Sequence, residues 1–506
     1  MPEISMAKLI DEMPEAFVSK TAISREVSRA YHAGKLRKLA SRLYTRNLTD
    51  RPEAIIGRNL WNIVGGYFPG ALIADRTALE NAPASDGSIC LVSETGRDIK
   101  LPGHTLRPRR GVGPISSDRP FIAGLFLSST ARAYLENMRH SRARSGLVAR
   151  TLARREIEER LDTLIRRSDE EAANRLRDEI RAVAIDLNAE KEATELDALI
   201  GSLLGTREAE LSAPAAIARR RGRPYDPDRL TLFQALHATL RDHPPLSRLA
   251  PDRGPDGAAT LAFYEAYFSN FIEGAEFAVE EAADIVFRGV IPFERPEDAH
   301  DVLGTWRIVS DMTEMRRIPQ DGKILTQITK ARHAAIMEGR PDKSPGDFKL
   351  MENRAGSTVF VAPDLVAGTL EQGFDLCRGL ETPFQRAVFM MFLVAEVHPF
   401  ADGNGRTARI MMNAELVAAG EERIVIPTVY RANYLSALKA LSQSGRPEPL
   451  IRMLDFAQKW TVAVDWRSVE KTRRELDDCN AFLDPDVADE EGRRLRMPGQ
   501  RYDAAG

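Results

Sequence analysis

The stretch that most constrains the fold of this chain runs from residue 384 to residue 419. Residues 384–397 are mostly apolar, which predicts a buried helix. Residues 407–419 are again good helix formers, and Gly420 follows at a position where helices commonly end. Between them stands the sequence His-Pro-Phe-Ala-Asp-Gly-Asn-Gly-Arg, a polar loop with two glycines. The pattern therefore predicts two helices joined by a short loop that leads directly into the N-terminus of the second helix.

Groups in this loop and at the start of the second helix predict a phosphate-binding site. The N–H groups of Gly403, Asn404 and Gly405 lie where a helix supplies no acceptor and where its dipole adds positive potential. Arg406 and Arg409 are three residues apart, so they share one helix face and add positive charge. We expect these five residues to bind the phosphates of a nucleotide.

Two further side chains of the loop suit phosphate chemistry. Asp402 offers the hard oxygen ligand that Mg²⁺ takes when it bridges phosphates. His398 titrates near neutral pH and is the natural proton acceptor. The ordinary explanation of a glycine-rich segment is a polar loop that only caps a core helix. The fixed order of a base, a carboxylate, two glycines and two arginines favours a nucleotide site over that explanation.

Residues 398–409 resemble the signature of the Fic family, His-x-Phe-x-(Asp/Glu)-Gly-Asn-Gly-Arg-x-x-Arg, at every specified position. The resemblance implies a mainly helical domain over residues 226–460 with a small β-hairpin. It implies an enzyme that uses Mg²⁺ and transfers AMP from ATP to a Ser, Thr or Tyr hydroxyl of a target protein. His398 would accept the proton of that hydroxyl. Other members of the family transfer a different phosphate-linked group, but the complete signature with two arginines favours ATP.

A second segment, Ser269-Asn-Phe-Ile-Glu-Gly274, follows an aromatic helical run near residues 261–274. Taken alone, Glu273 before Gly274 is a solvated residue at a helix end. Beside the signature, Ser-x-x-x-Glu-Gly resembles the inhibitory motif of the family, in which the glutamate pairs with the second signature arginine, here Arg409. The resemblance implies autoinhibition, because that pairing occupies the guanidinium meant for the γ-phosphate. The alternative function is removal of AMP from a modified protein, with Glu273 orienting a hydrolytic water.

Residues 345–363 predict a short hairpin with its turn at Gly356 and a strand that begins at Thr358. The resemblance implies the flap of the family, in which Thr358, Val359 and Phe360 would dock the target segment by strand addition. A purely structural hairpin is the alternative. Tyr434 either borders the adenine or is a core residue.

The N-terminal region carries a separate pattern over residues 24–44, with a helix, a glycine turn and a basic strand that ends on an aromatic residue. A recognition helix and wing have this order, and the region resembles the winged-helix start of AbiEi-type antitoxins. Two functions of this region stay open: it contacts DNA, or it is a winged helix that serves only as a packing or protein-docking module. The side chains that could meet DNA phosphates are Arg25, Arg29, Lys35, Arg37, Lys38 and Arg42. A DNA-binding regulator with the Fic domain as nucleotide sensor is thus the competing function.

Composition sets the remaining expectations. The chain has 506 residues and a formal net charge of −3, which excludes nucleic-acid binding through bulk charge alone. Three cysteines, no secretion signal and no long apolar stretch predict a cytoplasmic protein without disulfides. The fold class predicted is mainly α, with a helical Fic-type domain preceded by a winged-helix α+β domain and a helical connector. The predicted domains are 1–135 (winged helix, AbiEi-like), 136–225 (connector), 226–460 (Fic) and 461–506 (polar tail). A homodimer is an open alternative to a monomer.

Overall fold

The computed structural model describes residues 13–144, 146–168, 170–244, 246–356 and 358–499. The chain divides into two compact units, Met1–Arg221 and Gly222–Gly506. Helices dominate both units, and the strands are short, so the predicted mainly α fold class is confirmed. Among the described residues, none of the helices combines the length and the apolar character that a membrane span requires.

The first unit begins with a small antiparallel sheet and one helix. Strands β1 (Ala16–Val18), β2 (Arg37–Ala40) and β3 (Leu43–Thr45) pair in the order β1-β3-β2. Helix α1 (Ser24–His32) precedes the β2–β3 hairpin, and Gly34 makes the intervening turn with φ +71°. The helix and the glycine turn predicted for residues 24–44 are present, and the predicted basic strand is a hairpin of two strands.

A six-stranded mixed sheet follows in the same unit, in the order β6-β7-β5-β4-β9-β8. Its strands are β4 (Leu72–Ile73), β5 (Ser88–Val92), β6 (Ile99–Leu101), β7 (His104–Arg109), β8 (Arg119–Phe121) and β9 (Leu125–Leu127). The helices of this part are α2 (Pro52–Arg58), α3 (Leu60–Tyr67), α4 (Asp75–Glu80) and α5 (Thr130–Met138).

The rest of the first unit is a helical group. It contains α6 (Arg154–Arg167), α7 (Glu170–Leu187), α8 (Glu190–Leu203) and α9 (Pro214–Arg220). Ala131, Tyr134 and Leu135 of α5 are buried in the same apolar cluster as residues of α6, α7 and α8. The domain boundary predicted after residue 135 therefore falls inside α5, because that helix and the following ones share a core.

The second unit is helical around one central helix. Its helices up to that point are α10 (Pro227–Asp242), α11 (Gly254–Ile272), α12 (Val279–Arg288), α13 (Pro296–Ser310), α14 (Met312–Met315), α15 (Gly322–Ile336) and α16 (Val366–Cys377). The central helix is α17 (Pro383–Val397), with nearly every side chain buried in the main core. Helix α18 (Asn404–Ala418) packs against it, and α19 (Arg431–Ser444) and α20 (Glu448–Ala463) follow.

The segment predicted as a polar tail folds onto this unit. Helices α21 (Val469–Asp478) and α22 (Pro485–Glu490) lie in it, and Trp466, Leu476 and Cys479 are buried in one cluster with aromatic residues of α11. A few large apolar residues spaced among many charged ones are enough to anchor these helices, and the average polarity conceals them. The described part of the segment predicted as a polar tail thus contains two helices and contributes buried residues to a core cluster, which its average polarity does not indicate. Cys90, Cys377 and Cys479 are buried free thiols.

Candidate active site

His398 ends the central helix. Thr382 and Gln385 cap the start of α17, and His398 stops it in a left-handed conformation, φ 52° and ψ 59°, which is strained for a residue with a Cβ. Its Nδ1 lies 3.2 Å from the carbonyl oxygen of Ala395, so Nδ1 carries the proton and Nε2 is the free acceptor of the neutral ring. Phe360 stacks on the ring at a centroid distance of 3.8 Å and an interplanar angle of 6°. Burial lowers the pKa of His398 to about 4, so the imidazole is neutral at physiological pH.

Asn404 shapes the loop between α17 and α18, residues 398–403, which we call the signature loop. Its side chain accepts the N–H of Phe400 and donates to the carbonyl oxygen of the same residue, both at 2.9 Å. Gly403 adopts φ +71°, and a Cβ there would lie 2.7 Å from the Met337 sulfur. The N–H of Gly403 donates to Asp402 Oδ1 at 2.6 Å, whereas the sequence pattern predicts that this N–H is unpaired. Among the described residues, the main-chain N–H groups of Asn404 and Gly405 have no acceptor.

His333, on α15, supports the signature loop and was missed by the sequence reasoning. Its ring stacks on Phe400 at 3.7 Å and 2°. Its Nδ1 accepts the N–H of Gly346 at 2.9 Å, and its Nε2 lies 3.0 Å from the carbonyl oxygen of Asp402. These two partners fix the neutral tautomer with the proton on Nε2. Burial lowers the pKa of His333 to about 4, and an isolated histidine in a helix gives no sequence signal for this role.

Arg409 pairs with Glu273, the C-cap residue of α11. Arg409 Nη2 lies 2.7 Å from Glu273 Oε1, and the arginine also donates to Ser269 Oγ at 3.0 Å and to the Ser269 carbonyl oxygen at 2.8 Å. The Arg409 side chain is 6% exposed and that of Glu273 is 33% exposed. A Cβ on Gly405 would overlap the Glu273 carboxylate, and Gly274 leaves the helix at φ +95°. The carboxylate therefore lies directly over the N-terminus of α18.

Arg406 points to a different partner. Its Nη1 lies 2.5 Å from Asp301 Oδ2 of α13, and its side chain is 4% exposed. Arg340 Nε bonds the same Asp301 oxygen at 2.8 Å. Arg406 Nη2 lies 3.7 Å from Asp402 Oδ1 at the edge of the signature loop. This placement favours a role for Arg406 in positioning the loop over direct phosphate binding.

Asp402 is the residue available for a metal. Its side chain is 44% exposed, and Oδ1 is the oxygen that accepts from Gly403. Within the ranges that the structure describes, no three His, Cys, Asp or Glu side chains gather as a metal-binding group. A single carboxylate fits Mg²⁺, because that ion usually keeps several waters and takes phosphate oxygens as its other ligands.

The predicted hairpin is present and borders His398. Strand β10 (Arg354–Ala355) pairs antiparallel with β11 (Thr358–Val359), and we call this hairpin the flap. Arg229 Nη2 donates to the Val359 carbonyl oxygen, and Gln443 Nε2 donates to Thr358 Oγ1 at 3.0 Å. Phe360, next to the flap, donates its N–H to the carbonyl oxygen of Asn353 at 3.1 Å. The flap is thus held by side chains from α10 and α19.

Lys349 joins the base of the flap to the signature loop. Its N–H donates to the Pro399 carbonyl oxygen at 2.9 Å, and its Nζ donates to Asn353 Oδ1 at 2.6 Å. The Asn353 amide donates in turn to the Phe400 carbonyl oxygen at 2.9 Å. Burial lowers the pKa of Lys349 to about 8. This connection is another contribution that no local sequence motif reveals.

One cavity of about 240 Å³ connects these groups. His398, Gly405, Arg409 and Glu273 line it together with the flap and residues of α19. Tyr434, the alternative adenine neighbour, is 1% exposed and lies in the main core, with the Arg409 guanidinium 5.8 Å from its ring centroid. Tyr434 is thus mainly a core residue whose ring underlies Arg409.

The basic residues predicted to contact DNA lie in the first unit. Arg25 and Arg29 are exposed on α1, and Lys35, Lys38 and Arg42 are exposed in the turn and hairpin after it. Arg37 is half-buried and donates to the Asp50 carbonyl oxygen at 2.9 Å. Helix and hairpin thus present five exposed cationic side chains.

Comparison with known proteins finds a family match within the second unit. Residues 324–416 match the Fic/DOC family. Over 209 residues the chain is 38% identical to protein adenylyltransferase Fic of Drosophila melanogaster, covering 39% of this chain and 42% of that protein. Over 195 residues it is 25% identical to protein adenylyltransferase fic-1 of Caenorhabditis briggsae, covering 38% of each. The chain thus spans less than half the length of these relatives.

Among solved structures, part of Fic-1 from C. elegans aligns with 60% of this chain and 94% of its own, at 18% identity and a TM-score of 0.35. Residues 398–409, which carry the signature and its loop, lie within the matched range. Residues 324–416 of this chain are a Fic/DOC-family domain.

Proposed function

We propose that the second unit transfers AMP from ATP to a hydroxyl group of a target protein. The observation that carries the proposal is that His398, the N-terminus of α18 and Arg409 line one cavity. The matched relatives are named protein adenylyltransferases, which supports the same reaction for this chain. Target protein and modified residue stay open.

The reaction follows from the groups around the cavity. The N–H groups of Asn404 and Gly405 would bind phosphate oxygens at the positive end of α18. The target hydroxyl oxygen attacks the α-phosphorus, a phosphoester bond forms, and the bond from that phosphorus to the pyrophosphate oxygen breaks. The hydroxyl proton passes to Nε2 of neutral His398, and pyrophosphate leaves. Mg²⁺, when held by Asp402, supplies charge neutralisation of the phosphates.

Glu273 would hold this activity off. The carboxylate bonds Arg409 and lies against Gly405, so it occupies both the guanidinium and the space at the start of α18. A nucleotide would then bind without the contact that aligns its γ-phosphate.

Removal of AMP is the second reaction that the same geometry supports. Glu273 is one third exposed and lines the cavity beside His398, so its free oxygen could orient a water for attack on a phosphodiester.

The test is labelling of proteins in a cell extract with ATP that carries the label on its α-phosphate. Transfer predicts labelled bands with the wild-type chain or with Glu273→Gly, and none with His398→Ala. Absence of label in all three, with folded protein and measured ATP binding, would argue against transfer. A synthetic AMP-modified peptide that loses AMP only in the presence of intact Glu273 would support the reverse reaction.

DNA binding by the first unit is a separate proposal, supported by the exposed cations of α1 and the following hairpin. A salt-dependent gel shift that disappears in Arg25→Ala/Arg29→Ala is expected. The matched control is Arg155→Ala/Arg175→Ala, which removes two exposed arginines from α6 and α7. An equal loss of the gel shift in both double variants would indicate that DNA binds through bulk charge and not through a defined surface. Location in the cytoplasm and a homodimer stay predictions.

A further inference from the structure

A cavity of about 280 Å³ lies within the first unit, and we call it the α5 cavity. It is bounded by α4, by strands β8 and β9 and by the first turn of α5. Its volume is close to the lower end of the roughly 300–1,000 Å³ that small-molecule pockets usually have. Of the lining residues that the structure describes, one is a cation and none is a carboxylate.

The first turn of α5 supplies unpaired main-chain donors to this cavity. Ser129 is the N-cap residue, and its Oγ accepts the N–H of Arg132 at 3.3 Å. The N–H of Ser129 itself donates to Asp118 Oδ1 at 3.0 Å. The N–H groups of Thr130 and Ala131 have no acceptor in any part of the chain that the structure describes. Two donors and the positive end of the helix dipole thus lie where Ser129 and Thr130 line the cavity.

Tyr134, one turn further along α5, gives an independent indication of a ligand. The residue lines the same cavity and is 3% exposed. Its hydroxyl makes no hydrogen bond with any described residue, yet protein atoms do not seal its oxygen from open space. Burial raises the pKa of Tyr134 to about 12, so the hydroxyl is a donor at neutral pH. A buried phenol normally finds a partner for this donor, and here the cavity is the place where a partner can bind.

Arg119 brings a positive charge to the cavity. It lies directly opposite Leu127 in the β8–β9 pair, so the two side chains share one face of the sheet, and both line the cavity. The Arg119 side chain is exposed and forms no ion pair with any carboxylate whose position the structure describes. Other arginines of this part of the unit do pair with carboxylates: Arg109, Arg132 and Arg150. Arg119 is therefore available to a ligand.

We propose that the α5 cavity binds a phosphate group, either as inorganic phosphate or as part of a small phosphomonoester. The N–H groups of Thr130 and Ala131, the Arg119 guanidinium and the Tyr134 hydroxyl would all donate to phosphate oxygens. The match is one of charge and of hydrogen-bonding type, because every unpaired group is a donor and phosphate oxygens are acceptors. The apolar side chain of Leu127 would contact the carbon part of a monoester. The inference concerns the first unit and does not depend on the proposed transfer of AMP.

Hydration of the helix start is the alternative explanation. The nearby carboxylate of Asp118 does not reach the two unpaired N–H groups, since it binds Arg132 at 2.6 Å and the N–H groups of Ile115 and Ser129. Water could satisfy those two groups and the phenol. Hydration alone predicts no preference for phosphate over chloride, so a comparison of the two anions separates the explanations.

The experiment is a calorimetric titration of the full chain with inorganic phosphate and with glycerol phosphate. Sodium chloride and glycerol are the controls at the same ionic strength. We expect both phosphates to bind and neither control to bind. Tighter binding of glycerol phosphate would identify a phosphomonoester as the ligand, and equal or weaker binding would identify inorganic phosphate.

Two variants assign the binding to the α5 cavity. Tyr134→Phe removes one hydroxyl and should weaken the binding of both phosphates roughly tenfold, the usual effect of losing a hydrogen bond to a charged group. Arg119→Gln should weaken it by a similar factor. The matched controls are Tyr44→Phe on β3 and Arg110→Gln at an exposed position, since neither residue lines the cavity, and both should keep the wild-type affinity.

Absence of phosphate binding, or an affinity unchanged in both Tyr134→Phe and Arg119→Gln, would overturn the inference. It also fails if Arg409→Ala abolishes phosphate binding and the two cavity variants do not, because the phosphate then binds at α18. Thermal unfolding without ligand checks that Tyr134→Phe folds. If it does not, Arg119→Gln decides the question alone, since Arg119 is exposed and its replacement leaves the core intact.

Discussion

Replacing Glu273 by glycine tests the inhibitory contact directly. In the structure Arg409 is held by three hydrogen bonds, one to the Glu273 carboxylate at 2.7 Å and two to Ser269. Only the first involves an opposite charge, and it is the one that Glu273→Gly removes. We expect the variant to transfer AMP faster than the wild type, because the freed guanidinium can then bind the γ-phosphate.

The size of the effect follows from that contact. A hydrogen bond to a charged group contributes roughly 1.5–3 kcal/mol to stability. The Glu273 side chain is 33% exposed, so solvent screens the pair and the lower end of the range applies. Since about 1.4 kcal/mol corresponds to a tenfold change in an equilibrium, we expect roughly a tenfold gain in the initial rate of labelling.

The assay follows incorporation of α-labelled ATP at several ATP concentrations. Glu273→Gln keeps the length of the side chain and an acceptor oxygen but loses the charge, so its rate should lie between wild type and Glu273→Gly. Glu276→Gln, at an exposed position three residues later, should behave like wild type. Arg409→Ala should be inactive whether residue 273 is glutamate or glycine.

A Glu273→Gly chain that unfolds at the wild-type temperature and labels no faster than wild type would refute autoinhibition. If that same variant also loses the removal of AMP from a modified peptide, Glu273 is better explained as the residue that orients water.

The remaining predictions concern the proton acceptor His398, the metal ligand Asp402 and His333, which supports the signature loop. His398→Ala should lower transfer by roughly 10²–10⁴-fold with ATP binding retained; because the pKa of His398 is about 4, the wild-type rate should not fall as the pH is lowered from about 8 to about 5.5. Asp402→Ala should weaken the dependence of the rate on Mg²⁺, and an unchanged Mg²⁺ titration would remove it as the ligand. The pKa of His333 is about 4 in the folded chain, compared with 6.5 for an unperturbed histidine in the unfolded chain. The unfolded chain therefore takes up the proton first as the pH falls, and the free energy of unfolding decreases below about pH 6.5. Between about pH 7.5 and pH 5 that histidine alone should cost about 2 kcal/mol, and chemical unfolding of His333→Gln should show a correspondingly smaller loss over the same interval.

The sequence was sufficient for the local parts of the site. The helices on both sides of the signature loop and the hairpin turn at Gly356 could be predicted from periodicity and turn residues, whose spacing along the chain is diagnostic. The pair between Glu273 and Arg409 was implied only by the resemblance to the inhibitory motif of the Fic family.

The supporting residues could not be predicted in this way. Asp301, His333 and Glu396 are polar residues inside helices, where the sequence pattern does not distinguish a buried partner from a solvated side chain. Their roles arise only when elements far apart in the chain meet, as when Glu396 meets Arg229. Trp466 and Cys479 show the same limit, since each is a lone apolar residue in a polar segment.

The two signature arginines also differ in how easily a nucleotide phosphate could replace the carboxylate that pairs with each of them. Asp301 is 1% exposed and is shared with Arg340, so it cannot leave Arg406 without stranding a buried charge. Glu273 is partly solvated at a helix end and can swing away at small cost. On the proposed function, a productive pose of a triphosphate therefore requires an exchange of anions at Arg409 alone, in which an incoming phosphate replaces a tethered carboxylate. The chain carries its own counter-ion for Arg409, and we expect any ligand that stabilises the displaced position of that carboxylate to act as an activator.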